Sequence, residues 1–181
     1  MAKSETPRVL LDSSALIAVI KDEPNADHVE GLLGMLDRGE VQLVESVVAL
    51  AEVYKPSDHK DSAVRDRHDT KLQQIRLLLE SRTVLLLDVT QPIVRKATEY
   101  RRDYRMKLPD AVHLATAALN DCDWLVTFDR DFPERLGGLK VVRLDHAEEP
   151  RDLPWRCQVE ESLFDYPTGE NVIQLHGSTE H

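Results

Sequence analysis

Apolar residues fall along this chain in two rhythms: short solid runs bounded by turn residues, and longer stretches with apolar positions every three or four residues. The first marks strands buried on both faces, the second amphipathic helices. Arg8-Val-Leu-Leu-Asp12 reads as a buried strand feeding a helix over 15–20, with Ser13 or Ser14 as the candidate cap. Pro24 suits the first turn of a second helix, whose apolar face is Val29, Leu32, Leu33 and Leu36 and which Gly39 closes. A strand over 41–44 follows, then a helix over 47–55 stopped by Pro56. Residues 57–70 are charged and nearly featureless, and read as a mobile loop or an exposed helical start. Leu72, Ile75, Leu78 and Leu79 restore helical spacing up to Ser81, and 83–89 is a third strand. Pro92 and Pro109 open two more helices, the first with Ile93, Ala97, Tyr100 and Tyr104 on one side, the second nearly all apolar through Ala118. Residues 124–127 and 140–144 complete five strands.

Strands alternating with helices predict an α/β domain, its mostly parallel sheet covered on both faces. Such sheets bind ligands at the carboxyl ends of their strands, where Asp12 and Asp129 fall. The pattern lapses after 144, which divides the chain into one domain over 1–144 and an acidic extension over 145–181. Trp155, Leu163, Phe164 and Tyr166 recur in that extension, so it reads as a segment docked on its own domain or on a second copy. A sharper reading makes it a built-in regulator competing for the basic face.

The net charge of −10 argues at first against a nucleic-acid partner, but nine acids and only two arginines lie from Asp145 onward. The remaining 24 acids and 21 bases leave the domain near neutral if four acids bind metal. Local field rather than net charge steers association. Cys122 and Cys157 have neither metal nor disulfide spacing. No secretory leader is legible and no apolar run approaches membrane-spanning length, so the expectation is a cytoplasmic protein with no membrane partner.

Four carboxylates stand where a core has little use for them. Glu52 lies in Val47-Val-Ala-Leu-Ala-Glu-Val, where its neighbours are all apolar, and an unpaired buried carboxylate is costly. Asp12 ends a strand, Asp110 follows Pro109 in a first helical turn, and Asp129 follows Trp124-Leu-Val-Thr-Phe. Each has a structural explanation by itself: a strand end, a solvent-facing position, the helix dipole, a turn. A parallel sheet would gather all four at one edge. Two unit charges ~4 Å apart repel by roughly 4 kcal/mol at an effective dielectric of ~20, so the cluster calls for protons or a divalent cation. Mg²⁺ and Mn²⁺ prefer oxygen ligands and suit phosphodiester hydrolysis. Asp131 reads as solvated or as a supporting residue.

Four ordered segments resemble the PIN-domain ribonucleases, especially the VapC-like toxins of toxin–antitoxin modules. They are Val9-Leu-Leu-Asp12-Ser-Ser-Ala-Leu-Ile-Ala, Val48-Ala-Leu-Ala-Glu52-Val, Lys107-Leu-Pro-Asp110-Ala-Val-His-Leu-Ala-Thr-Ala and Leu125-Val-Thr-Phe-Asp129-Arg-Asp-Phe. The resemblance covers about residues 7–144 and implies a three-layer α/β/α sandwich that hydrolyses RNA with Mg²⁺ or Mn²⁺. It implies Asp12, Glu52 and Asp110 as the principal triad and Asp129 as the fourth member. Ser13 or Thr127 would orient a carboxylate or water. It further implies a homodimer silenced by a small antitoxin protein. The charged stretch at 56–70 and the tail exceed the compact toxin pattern.

The helix before Asp110 offers Arg95, Lys96, Arg101, Arg102, Arg105 and Lys107 on the flank opposite its apolar positions, a candidate RNA-binding face. His59, His68 and His113 read as surface or packing residues, with His113 one turn past Asp110. The main rival is a PIN-like module that binds RNA or protein without cutting. A DNA flap nuclease would want a DNA-clasping arch. An aspartyl phosphatase would want a second acid where Ser14 stands, and a receiver domain two adjacent acids after its first strand.

Overall fold

A computed structural model of the chain describes residues 6–144 and 153–155. Twelve elements follow one another among these residues. They are β1 (Arg8–Leu11), α1 (Ser13–Lys21), α2 (Ala26–Asp37), β2 (Gln42–Ser46), α3 (Val48–Val53), α4 (Ser62–Leu79), β3 (Val84–Leu87), α5 (Gln91–Tyr104), α6 (Leu108–Leu119), β4 (Trp124–Thr127), β5 (Arg135–Leu136) and β6 (Leu139–Arg143). The sheet order is β3-β2-β1-β4-β6-β5, parallel throughout except where β5 turns back on β6. One apolar layer, built on Leu16, Val19, Leu32 and Ile75, lies on one face of the sheet. The other, built on Tyr100, Val112, Leu114 and Phe132, lies on the opposite face. Alternation along β1 divides its residues accordingly, with Val9 and Leu11 in the first layer and Leu10 in the second. A mostly parallel sheet between two helical layers is the α/β/α sandwich expected.

Chain reversal follows local chemistry. Gly39 at φ +70 closes α2 in the left-handed region that glycine adopts without strain. Arg105 ends α5 with no such freedom, at φ 58, and turns the chain toward Asp110. Two features differ from the sequence reading, the cap of α1 and a sixth strand, and one choice it left open is decided. Asp12, not Ser13 or Ser14, caps α1: its carboxylate accepts the Ser14 N–H, and both serines lie in the first turn. The charged stretch resolves into a helical start at Ser62, because Asp61 accepts the N–H groups of Ala63 and Val64. Strand β5, too short to leave a pattern, adds a sixth strand.

No helix of the described residues is long and apolar enough to cross a membrane. Cys122 is a buried free thiol whose pKa burial pushes up to about 12, which leaves it inert. Of the C-terminal extension only residues 153–155 are described. Trp155 is 4% exposed, donates its indole N–H to His28 O at 3.1 Å and packs on Trp124 with ring centroids 5.7 Å apart. Leu153 joins the same layer. Cys157, Leu163, Phe164 and Tyr166 lie outside the described residues, as does any regulatory contact of the tail. Because Trp155 fills the layer between α2 and β4, Trp155→Ala is expected to lower unfolding free energy by about 3 kcal/mol in urea titration. A loss below about 0.5 kcal/mol would mean that the indole is not part of the core.

Candidate active site

The site forms where β1 and β4 end and α6 begins, with the last turn of α3 beside them. Asp12 follows the last residue of β1 and is 3% exposed. Its backbone N–H is held by Val126 O at 2.9 Å, which ties it to the neighbouring strand β4. Asp12 Oδ2 accepts hydroxyl hydrogen bonds from Ser14 at 2.6 Å and Thr127 at 2.9 Å. Those hydroxyls also fix the chain beyond β4: Ser14 Oγ accepts the Phe128 N–H and Thr127 Oγ1 the Asp129 N–H, both at 2.9 Å. Thr127 therefore couples the placement of Asp12 to that of Asp129. Asp129 Oδ1 in turn accepts the N–H of exposed Asp131 at 2.8 Å, making Asp131 part of the turn.

Glu52, on the one-and-a-half-turn helix α3, is half-buried and locked by two partners. Ser13 Oγ donates to Glu52 Oε2, and His113 Nε2 lies 2.9 Å from the same oxygen and 3.1 Å from Ser13 Oγ. Burial raises the Glu52 pKa, but hydrogen bonds from His113 and Ser13 outweigh it and hold the carboxyl below its usual range. His113 is fully buried, so its reading as a packing residue is correct but incomplete. Among the described residues only one of its ring nitrogens has a partner; Nδ1 has none. Ser14 and His113 are the two contributors sequence reasoning left out of the site. Their signal was spacing alone, two residues past Asp12 and one turn past Asp110.

Asp110 sits in the first turn of α6 with Oδ2 buried and without a hydrogen-bond partner among the described residues. Burial, then the charges of Asp12 and Asp129, push its pKa up to about 6; Lys107 opposes this and Glu52 adds to it. All three other carboxylates are thus felt at Asp110. They are not drawn into a closed cage, however. Among the described residues, no three Asp, Glu, His or Cys side chains are grouped so as to hold a metal ion. The donor set is nonetheless all oxygen, and the unpartnered Asp110 Oδ2 is the kind of atom a hard cation satisfies.

Of the basic residues, Lys107 stands near enough for its charge to act on Asp110. Arg95, Arg101, Arg102, Arg105 and Lys107 are exposed. Arg102 pairs with Asp103 at 2.7 Å and Lys96 with Glu99 at 2.8 Å, so Arg101, Arg105 and Lys107 are the better candidates for phosphate. His59 is exposed, and His68 is buried against Ser57.

Residues 9–137 match the model of the PIN domain family. The chain belongs to the PIN domain family. Its solved PIN-like neighbours include a chain of a toxin–antitoxin complex from Klebsiella pneumoniae. That chain is 25% identical at a TM-score of 0.50, over 72% of this chain and 94% of that one. A chain of FitAcB from Neisseria gonorrhoeae is 17% identical at a TM-score of 0.53, over 75% of this chain and 96% of that one, a likeness of fold alone. Comparison with curated proteins finds no match.

Because the Asp110 pKa is raised in the fold, the folded protein binds a proton that the unfolded chain releases near 3.8. Without divalent cation, its contribution therefore makes stability fall as pH rises from about 4 to about 6. Asp110→Asn should remove this part of the slope in chemical denaturation at each pH. An identical slope in the variant would contradict the raised pKa.

Proposed function

We propose that this PIN-domain protein is a Mg²⁺- or Mn²⁺-dependent endoribonuclease of the VapC-like toxin type, acting in the cytoplasm on RNA. The observation that carries the reading is Asp110: a carboxyl with a buried, unpartnered oxygen, raised to about 6 by burial and by Asp12, Asp129 and Glu52. A site that concentrates negative charge this way is suited to a cation. Asp12, Glu52, Asp110 and Asp129 would hold the ion, which would supply a lowered water pKa and positive charge opposite the phosphate.

The chain's own groups divide the remaining work. Ser14 and Thr127 fix one oxygen of Asp12, and Ser13 and His113 fix one of Glu52, leaving each carboxylate a second oxygen. Asp110 carries a proton in the cation-free protein below about pH 6 and gives it up above. Arg101 on α5 and Arg105 and Lys107 in the link to α6 would take up backbone phosphates, with Arg95 and Arg102 also on α5. The toxin–antitoxin neighbour from Klebsiella pneumoniae supports an antitoxin partner, a protein segment covering the acidic edge, and a homodimer is the assembly in which we place the chain. The domain extends over 1–144, with 145–181 appended to it.

A second reading has one observation in its favour: binding without cleavage suits a site with no ready-made set of three ligands among the described residues. The two readings part on purified protein with labelled RNA and DNA, in Mn²⁺ or chelator. Cleavage of RNA that requires Mn²⁺, with Asp12→Asn and Asp110→Asn each lowering kcat about 10²-fold or more, is expected. RNA bound but intact under Mn²⁺ would establish the silent module. Preferential cutting of DNA would overturn the substrate.

Replacing Arg101, Arg105 and Lys107 together by Gln should make the log–log salt dependence of RNA affinity shallower by about two units. A slope equal to that of the parent protein would remove this face from the RNA path.

A further inference from the structure

Glu45 is a fully buried carboxyl that the proposed reaction does not use. It lies near the end of β2, one residue before Ser46. On one side, β2 pairs with β3 all the way to Ser46↔Leu87. On the other, its register with β1 stops after Arg8↔Gln42 and Val9↔Leu43. Beyond that point the Leu11 N–H goes not to a β2 carbonyl but to Glu45 Oε1, at 2.9 Å. The next amide, Asp12 N–H, points the other way and bonds Val126 O at 2.9 Å. The end of β1 is therefore gripped from both sides, by backbone from β4 and by a side chain from β2.

This is a costly way to satisfy one amide. Glu45 Oε2 is buried without a partner among the described residues, and burial drives the carboxyl well above its usual range, a rise the Leu11 N–H only partly offsets and Asp12 increases. An apolar residue of similar volume would avoid that desolvation. Local rules broken in this manner concentrate at functional sites, and this break lies one residue from Asp12.

We propose that Glu45 is a positioning residue for the carboxylate cluster, wedging the carboxyl ends of β1 and β2 and setting through Leu11 the depth at which Asp12 stands. The inference rests on the nuclease reading above. Its effect is indirect: Glu45 acts on Asp12 through the backbone.

The test compares the full-length protein with Glu45→Gln, Glu45→Leu and Glu45→Asp, below the lowest melting temperature of the set. Mn²⁺ affinity is measured by direct titration in the absence of RNA, and kcat and KM are measured on RNA. Gln keeps an acceptor oxygen at the same reach, and should bind Mn²⁺ and turn over as the parent does. Leu removes the acceptor and Asp withdraws it by one methylene; each should weaken Mn²⁺ binding and lower kcat by about tenfold, with KM for RNA unchanged. Should the Leu variant fail to fold, the Asp variant carries the same decision. Parental Mn²⁺ affinity and kcat in the Leu or Asp variant would overturn the proposal, as would a Gln variant that loses as much as they do. A parent protein that neither binds Mn²⁺ nor cuts RNA would overturn the nuclease reading itself, and Glu45's role with it.

Discussion

Repulsion among carboxylates at one end of a parallel sheet is the constraint around which this molecule is arranged. Parallel strands deliver their carboxyl ends to a common edge, so Asp12 and Asp129 arrive together without any contact between them being needed to bring it about. Helix α6 adds Asp110 from its first turn and α3 adds Glu52. Asp110 registers the result: its oxygen is unpartnered and its proton is held to about pH 6. The rest of the local structure serves to keep these groups from relaxing apart. Thr127 bridges the carboxylate of Asp12 and the amide of Asp129, and Ser13 with His113 clasps Glu52.

Such an edge works against stability, and the fold accommodates it with two continuous apolar layers. The layer behind β1 and β2 even closes over Trp155, from beyond the last strand. Against that background the internal polar groups stand out. His113 and Glu45 are both fully buried, each with an atom that finds no partner. His113 touches Glu52, and Glu45 holds the amide preceding Asp12. Two of the most heavily desolvated polar side chains thus serve two of the four acids.

Much of the fold was legible because solid apolar runs and helical spacing are strong signals. The runs ending at Leu11, Val44, Leu87 and Thr127 are all strands, and their alternation with helices gave the parallel sheet. What escaped was set by single hydrogen bonds or by pairing. Strand β5 has two residues and exists only through its partner β6. The start of α4, which the sequence left open between a loop and a helical start, depends on one Asp61 carboxylate. Asp12 as the cap of α1 hid behind the two serines beside it. In the candidate site, the four acids stood out in the sequence by their oddness in apolar or strand-end surroundings. Glu45 was not, because in Leu43-Val-Glu-Ser it reads as the polar end of a strand. Only the interrupted β1–β2 register exposes it as a wedge. How closely the acids approach was likewise beyond sequence, since spacing along the chain says nothing of the separation that repulsion allows.

The most direct test of the central claim is a carboxyl ¹³C titration of Asp110. Its midpoint should lie near 6 in the cation-free protein. It should fall by about one unit when Asp12 is replaced by Asn, and at least as far when Mg²⁺ is added to the parent protein. A midpoint that neither the substitution nor the cation moves would mean that these acids do not share a site.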